Sequence, residues 1–192
     1  MSDIRILKEM LNDTATVSLE EYPLGSKKKV VKLIEKDSSA NYSITLSGMP
    51  DDSEVIIIKA DMFSSPNAVF NGSKGECKRA DFVIIIHLGN KKIILCIEMK
   101  ARSSTSSEQE IIQQLKGARC FIAYCQEIGK TFWEESDFLN GYSDRYVSIR
   151  NIGIPKKTTR MDPKTGINDR PDRMLKINSP YYLQLNNLIG GL

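Results

Sequence analysis

The sequence predicts an α/β fold, with helices layered on a β-sheet, on three observations. Two apolar runs lie close together within residues 77–101, and the first is apolar on both faces: Phe82, Ile84 and Ile86 on one side, Val83 and Ile85 on the other. Only a short Gly-Asn turn separates the runs, and a long helical pattern follows them directly. Strands buried on both faces need cover on both faces, which favours helices packed against a sheet.

In chain order, Ile4, Leu7, Met10 and Leu11 recur at helical spacing and predict a short first helix. The stretches KVVKLIEKD and NYSITLSG, starting at Lys29 and Asn41, read as two short strands joined as a hairpin. EVIIIKADMF, starting at Glu54, is a stronger strand, and a loop rich in Ser, Pro, Asn and Gly occupies residues 64–75. Leu88-Gly89-Asn90-Lys91 is a tight-turn signal, because Gly and Asn tolerate positive φ. If Leu88 faces Lys91, then Ile86 faces Ile93, Ile84 faces Leu95, and Asp81 falls opposite Glu98. Directly paired Cβ atoms lie about 4.5 to 5.5 Å apart, so the two acids become neighbours. Lys100, two residues beyond Glu98, shares its face.

Residues 105–110 hold two overlapping capping boxes, Thr105 with Glu108 and Ser107 with Glu110, so a helix begins there. Ile111, Leu115, Ala118, Ile122 and Cys125 then form one apolar stripe for packing on the sheet. At 100° per residue Gln114 lies about 60° from the stripe centre and reaches the sheet margin, whereas Gln113 faces water. YVSIRNIGI, starting at Tyr146, is a further strand, residues 156–173 form a basic loop, and MLKINSPYYLQLNNLI closes the fold.

A chain of 192 residues accommodates one domain, taken as residues 1–192. With 41% apolar and 27% charged residues, no window approaches the roughly 18 consecutive apolar residues of a membrane span. The first residues mix charges with apolar side chains and lack the pattern of a secretory signal, so the expected location is cytoplasmic, with no membrane partner. Four cysteines without a CxxC pair, and the single histidine His87, lack the clusters of a structural zinc site. The cysteines read as small core side chains in a reducing compartment, and His87 as a packed or rim residue. The net charge of +3 is unevenly spread: residues 71–102 and 156–176 each hold seven Lys or Arg against three acids. Such clustering suits a polyanion, because each neutralised phosphate releases counterions.

Two carboxylates side by side at the end of a buried sheet repel one another, and a divalent cation relieves that repulsion. Hard carboxylate oxygens suit Mg²⁺ or Mn²⁺, which use one or two carboxylates together with waters and phosphate oxygens. Lys100 on the same face is placed to position or deprotonate a water, or to offset charge developing on a phosphate. The set Asp81, Glu98 and Lys100 therefore points to phosphodiester cleavage.

Arg79-Ala80-Asp81-Phe82-Val83-Ile84 and Ile97-Glu98-Met99-Lys100 resemble the two motif strands of the PD-(D/E)xK nuclease superfamily. The resemblance spans about residues 78–128. It implies the restriction-endonuclease-like fold, a mixed central β-sheet flanked by helices. It also implies metal binding by Asp81 and Glu98 and a catalytic role for Lys100. In many branches a helix after E-x-K carries a glutamine that supports the site, and Gln114 takes that place. The chain departs from the fullest pattern in having Ala80 where Pro is usual and in offering no clear first-helix acid; Glu20, Glu21 and Glu35 are the candidates. The expected activity is a Mg²⁺- or Mn²⁺-dependent nuclease acting on DNA, as an endonuclease rather than an exonuclease. The alternatives are an RNA-directed nuclease, and a catalytically silent nucleic-acid-binding or scaffold subunit. Lys78, Arg79 and Arg102 flank the acids as backbone contacts, and Lys156 and Lys157 add a basic loop. By analogy, a homodimer or a recognition or motor subunit is the expected protein partner.

Overall fold

A computed structural model describes residues 1–21, 29–36, 41–101, 105–151 and 168–190. Arg102, Lys156 and Lys157 lie outside the described residues.

The chain opens with helix α1 (Asp3–Met10), capped by the Ser2 hydroxyl. It continues through β1 (Glu20–Glu21), β2 (Lys29–Lys36), β3 (Asn41–Met49) and β4 (Val55–Lys59). The motif strands follow as β5 (Phe82–Leu88) and β6 (Lys91–Lys100), then α2 (Glu108–Phe132) and β7 (Ser143–Arg150). The last elements are β8 (Leu175–Asn178), β9 (Tyr182–Gln184) and α3 (Leu185–Ile189). The central sheet runs β4-β5-β6-β7-β8. Strands β4, β5 and β6 form an antiparallel meander, after which α2 crosses over so that β7, and then β8, run parallel to β6.

The hairpin adopts the predicted register, with Leu88 opposite Lys91, Ile86 opposite Ile93 and Ile84 opposite Leu95. Gly89 takes positive φ at the turn. Helix α2 starts where the sequence places it. Ser107 is the N-cap, and its hydroxyl and the Glu110 carboxylate close a capping box. Ile111, Leu115, Ala118, Ile122 and Cys125 are all buried. They join α1 and the odd-numbered side chains of β5, Val83 and Ile85, in a core on one face of the sheet.

The opposite face differs from expectation. Phe82, Ile84, Ile86, Ile93, Leu95 and Ile97 pack against Val31, Leu33, Ile44 and Leu46 of a second, four-stranded sheet, order β1-β2-β3-β9, with α3 beside it. The β2–β3 hairpin forms as predicted, but it covers the central sheet instead of extending it. The chain is therefore an α/β protein with two mixed sheets, and helices flank the central sheet mainly on one face. Alternation explains why a second sheet serves: Val31 and Leu33 point inward while Lys32 is exposed. Cys96 and Cys125 are core residues as expected, whereas Cys120 lies on the outer surface of α2. Among the described residues no helix is long and apolar enough to cross a membrane.

Close approach of α2 to the segment before β5 depends on Gly117. A Cβ there would meet the Lys78 carbonyl oxygen at 1.8 Å. Because the obstacle is backbone, Gly117→Ala is expected to destabilise the protein by about 2 kcal/mol despite alanine's better helix propensity. Urea unfolding measures this; an unchanged midpoint would show that α2 can lift away freely.

Candidate active site

Asp81 sits at the bend immediately before β5, where its carbonyl accepts from the Ala60 amide and prolongs the β4–β5 pairing by one residue. Its side chain is 8% exposed, and Oδ2 accepts a hydrogen bond from the Met99 amide at 2.5 Å. The carboxylate is thus fastened to the backbone between Glu98 and Lys100, the neighbourhood that the hairpin register requires.

Glu98 is fully buried. Lys100 Nζ makes an ion pair with Glu98 Oε1. Neither carboxylate oxygen of Glu98 has a hydrogen bond of ordinary geometry among the described residues. The Asp81 amide is near enough to Glu98 to act electrostatically without meeting that geometry. Burial leaves Glu98 protonated more readily than an ordinary glutamate, with its pKa pushed up to about 7, against the opposing pull of Lys100. Burial, then the neighbouring charges of Glu98 and Glu35, raise Asp81 well above the usual range. For Lys100, burial alone favours loss of the proton, but the Glu98, Asp81 and Glu35 carboxylates outweigh it and raise the pKa. Lys100 is therefore an ammonium at neutral pH.

Of the three candidate acids, Glu35 is the one whose charge is felt at Asp81 and Glu98, although it lies on the side of the second sheet and is not gathered with them into a three-acid group among the described residues. It follows Val31 and Leu33 in the inward alternation of β2 and acts electrostatically on Asp81, Glu98 and Lys100 together. It comes from a strand of the second sheet, whereas Glu20 and Glu21 are exposed on β1. Its inward position at the end of an alternating strand was the available signal, but only the stacking of the sheets brings it to this end.

Gln114 is half-buried, and its Oε1 is buried without a hydrogen-bond partner. Among the described residues no hydrogen bond joins Gln114 to Asp81, Glu98 or Lys100. Gln113 does not face open water as predicted: it packs against Gly75, where an added Cβ would lie 2.6 Å from its Cδ. The loop over residues 64–75 folds across that side of α2, a contact no helical wheel contains.

The expected basic flank divides. Lys78 pairs with Glu110 at 3.4 Å on the surface. Arg79 is engaged in the loop: Nη1 donates to the carbonyls of Lys78 at 2.6 Å and Glu76 at 3.0 Å, and its guanidinium lies over the Phe63 ring. His87 sits at the opposite end of β5, edge-on to Tyr142, as a rim residue.

Register adds residues that motif reading missed. On the helix-facing side Glu98 pairs with Ser148 and Ser148 with Lys176, while Lys100 pairs with Arg150 and Arg150 with Asn178. The two rungs lie toward the carboxyl ends of three parallel strands, and their β7 and β8 members, Ser148, Arg150, Lys176 and Asn178, line a cavity of about 290 Å³.

The donors fit a hard divalent cation. Asp81 and Glu98 are close enough for their charges to interact, and while Lys100 occupies Oε1 of Glu98, its Oε2 is buried without a hydrogen-bond partner among the described residues. Among the described residues no group of three or more His, Cys, Asp or Glu side chains is gathered as a metal site, so waters or phosphate oxygens would complete the shell. No family model, curated protein or solved structure matches this chain.

Proposed function

We propose that this protein is a nuclease that hydrolyses phosphodiester bonds, in DNA before RNA, with Mg²⁺ or Mn²⁺ held by Asp81 and Glu98. One observation carries the reading: two buried carboxylates come together at one end of the central sheet, and among the described residues the side-chain donor to Glu98 is the Lys100 ammonium on the same face. A structural role alone gives little reason to bury such a set, since burying charge is costly even when it is paired. The meander β4-β5-β6 followed by a helical crossover to β7 supports a restriction-endonuclease-like reading of the fold.

A bound ion supplies Lewis acidity toward a phosphate oxygen and lowers the pKa of water. Asp81, tied to the Met99 amide, presents a carboxylate whose direction is set by the backbone. Glu98 contributes the second hard oxygen ligand once deprotonated. Lys100 carries its proton, which supports offsetting the charge that develops on the phosphate over acting as a general base. Gln114 offers a buried carbonyl acceptor beside the packing face of α2, suited to orienting a water or the Lys100 ammonium.

A second reading, a non-catalytic nucleic-acid-binding or scaffold subunit, is favoured by the ion pair of Lys100 with Glu98, which partly neutralises the site without metal. Turnover separates the two. Purified protein with Mn²⁺ or Mg²⁺ is expected to cut supercoiled, linear or single-stranded DNA, or RNA, and to cut none in a chelator. Failure on every substrate with both metals would leave the non-catalytic reading.

A further inference from the structure

We infer that the cleft beside Lys100 is a second phosphate site, which holds a nucleic-acid backbone phosphate next to the one cleaved; this rests on the nuclease reading for its neighbour. The cleft is lined by Ser106 and Glu108 at the start of α2, by Ser148 and Arg150 of β7, and by Lys176 and Asn178 of β8. Its volume of about 290 Å³ is at the small end for ligand pockets and suits a phosphodiester group with its waters better than a nucleoside. Ligands of open parallel sheets bind outside the carboxyl ends of the strands, where this cleft lies.

Three features make it an anion site. Ser148 is only 6% exposed, lines the cleft and makes no side-chain hydrogen bond among the described residues, so a hydroxyl there awaits a partner. Arg150 Nη2 donates to the Ser106 carbonyl at 2.8 Å, which fixes the guanidinium at the wall while other donors of its planar fork stay available. Lys176 pairs with Glu108 at 2.7 Å, but both side chains are more than half exposed, and a surface pair of that kind is weak enough for a phosphate to displace. With strands about 4.8 Å apart, Ser148 and Lys176 lie one and two strand spacings from Glu98, so one continuous strand can occupy both sites.

Glu108 is the discriminating residue. If the cleft binds phosphate, this carboxylate competes for Lys176 and repels the ligand, so removing its charge strengthens binding. A purely structural ion pair predicts no such gain.

The test measures anisotropy of a fluorescent DNA duplex and of the matching RNA, in chelator so that no cleavage intervenes, across a salt series. Inorganic phosphate serves as a competitor to separate free phosphate from a backbone phosphate. Arg150→Ala and Lys176→Ala are each expected to weaken binding roughly tenfold. Each should also reduce the slope of log affinity against log salt by about 0.9 on duplex DNA. Glu108→Gln is expected to tighten binding several-fold, and Arg150→Lys to recover part of the loss. Lys176 is exposed, so its variants keep the test valid if Arg150→Ala unfolds. Affinities and slopes unchanged in Lys176→Ala and Glu108→Gln overturn the phosphate site even if the wild type cuts DNA. Wild type that cuts nothing while these shifts appear overturns the nuclease and keeps the site. Wild type that binds neither DNA nor RNA overturns the site, as does complete competition by millimolar phosphate with no preference for polymer.

Discussion

Lys100→Ala is expected to lower the rate of phosphodiester cleavage by about 10² to 10⁴-fold while leaving nucleic-acid affinity within a few-fold of wild type. The asymmetry follows from where the ammonium sits. Lys100 is 9% exposed and held against Glu98, so it offers little to a long-range encounter with the polyanion. Its charge is felt when negative charge builds on the reacting phosphate, which affects the transition state more than the ground state. Lys100→Arg keeps the charge and should retain part of the rate. Gln114→Ala should cost less than Lys100→Ala, since a carbonyl that orients a group is easier to replace by water than a cation. Single-turnover rates set against affinities measured in chelator resolve the two contributions. Equal cutting by wild type and Lys100→Ala would remove the lysine from the mechanism.

The second large effect concerns stability. Saturating Mn²⁺ or Mg²⁺ at about one hundred times its dissociation constant should stabilise the protein by about 2.7 kcal/mol. For a chain of this length that corresponds to a rise in Tm of about 5 to 10 °C. Without metal, the pH dependence takes the opposite sign to that of an ordinary salt-bridged acid. Glu98 has a folded-state pKa near 7 against an ordinary value of 4.5, and Asp81 is raised as well. The folded protein therefore binds more protons than the unfolded chain between those values. Its stability is greatest below about pH 4.5 as far as these groups are concerned, and it falls as pH rises toward 7, by roughly 3 kcal/mol from Glu98. Asp81→Asn keeps an acceptor for the Met99 amide while removing one of the repelling charges. It should flatten this fall, raise the metal-free Tm near pH 8 and abolish most of the metal response. Glu98→Gln should also flatten the slope, but it leaves the Lys100 ammonium without its partner, so its absolute stability is the poorer measure. Melting curves across pH, with and without Mn²⁺, check both; a metal response intact in both variants would place the ion elsewhere.

Much of this candidate site is legible in the sequence. A two-residue turn with Gly89 fixes pairing locally, so Asp81, Glu98 and Lys100 follow by counting along two strands. The capping box at Ser107 and the stripe from Ile111 to Cys125 are equally local. What escaped depends on contacts between distant segments. Parallel neighbours are joined by a crossover instead of a turn, so nothing near Glu98 announces Ser148 or Lys176. Glu35, one of three candidate acids in the sequence, is singled out only by the packing of the second sheet on the central one. Gln113 was misjudged because its side of α2 meets the loop at Gly75. Gly117 was an overlooked clue: a glycine inside a helix often marks a close backbone approach.

The turn at Gly89 gives the motif an unusual pattern of vulnerability. A Cβ at this position meets nothing within 4 Å, so side-chain identity at the tip matters little beyond the backbone strain of φ +54°. Chain length at the tip matters greatly, because adding or removing one residue exchanges the two faces of the strand that follows. Seven residues beyond Lys91, where the strand begins, and about 24 Å away, Glu98 and Lys100 would then swap places with Ile97 and Met99. Substitution at Gly89 is therefore limited by backbone strain alone, while a one-residue insertion or deletion at the tip would carry Glu98 and Lys100 away from the face of Asp81.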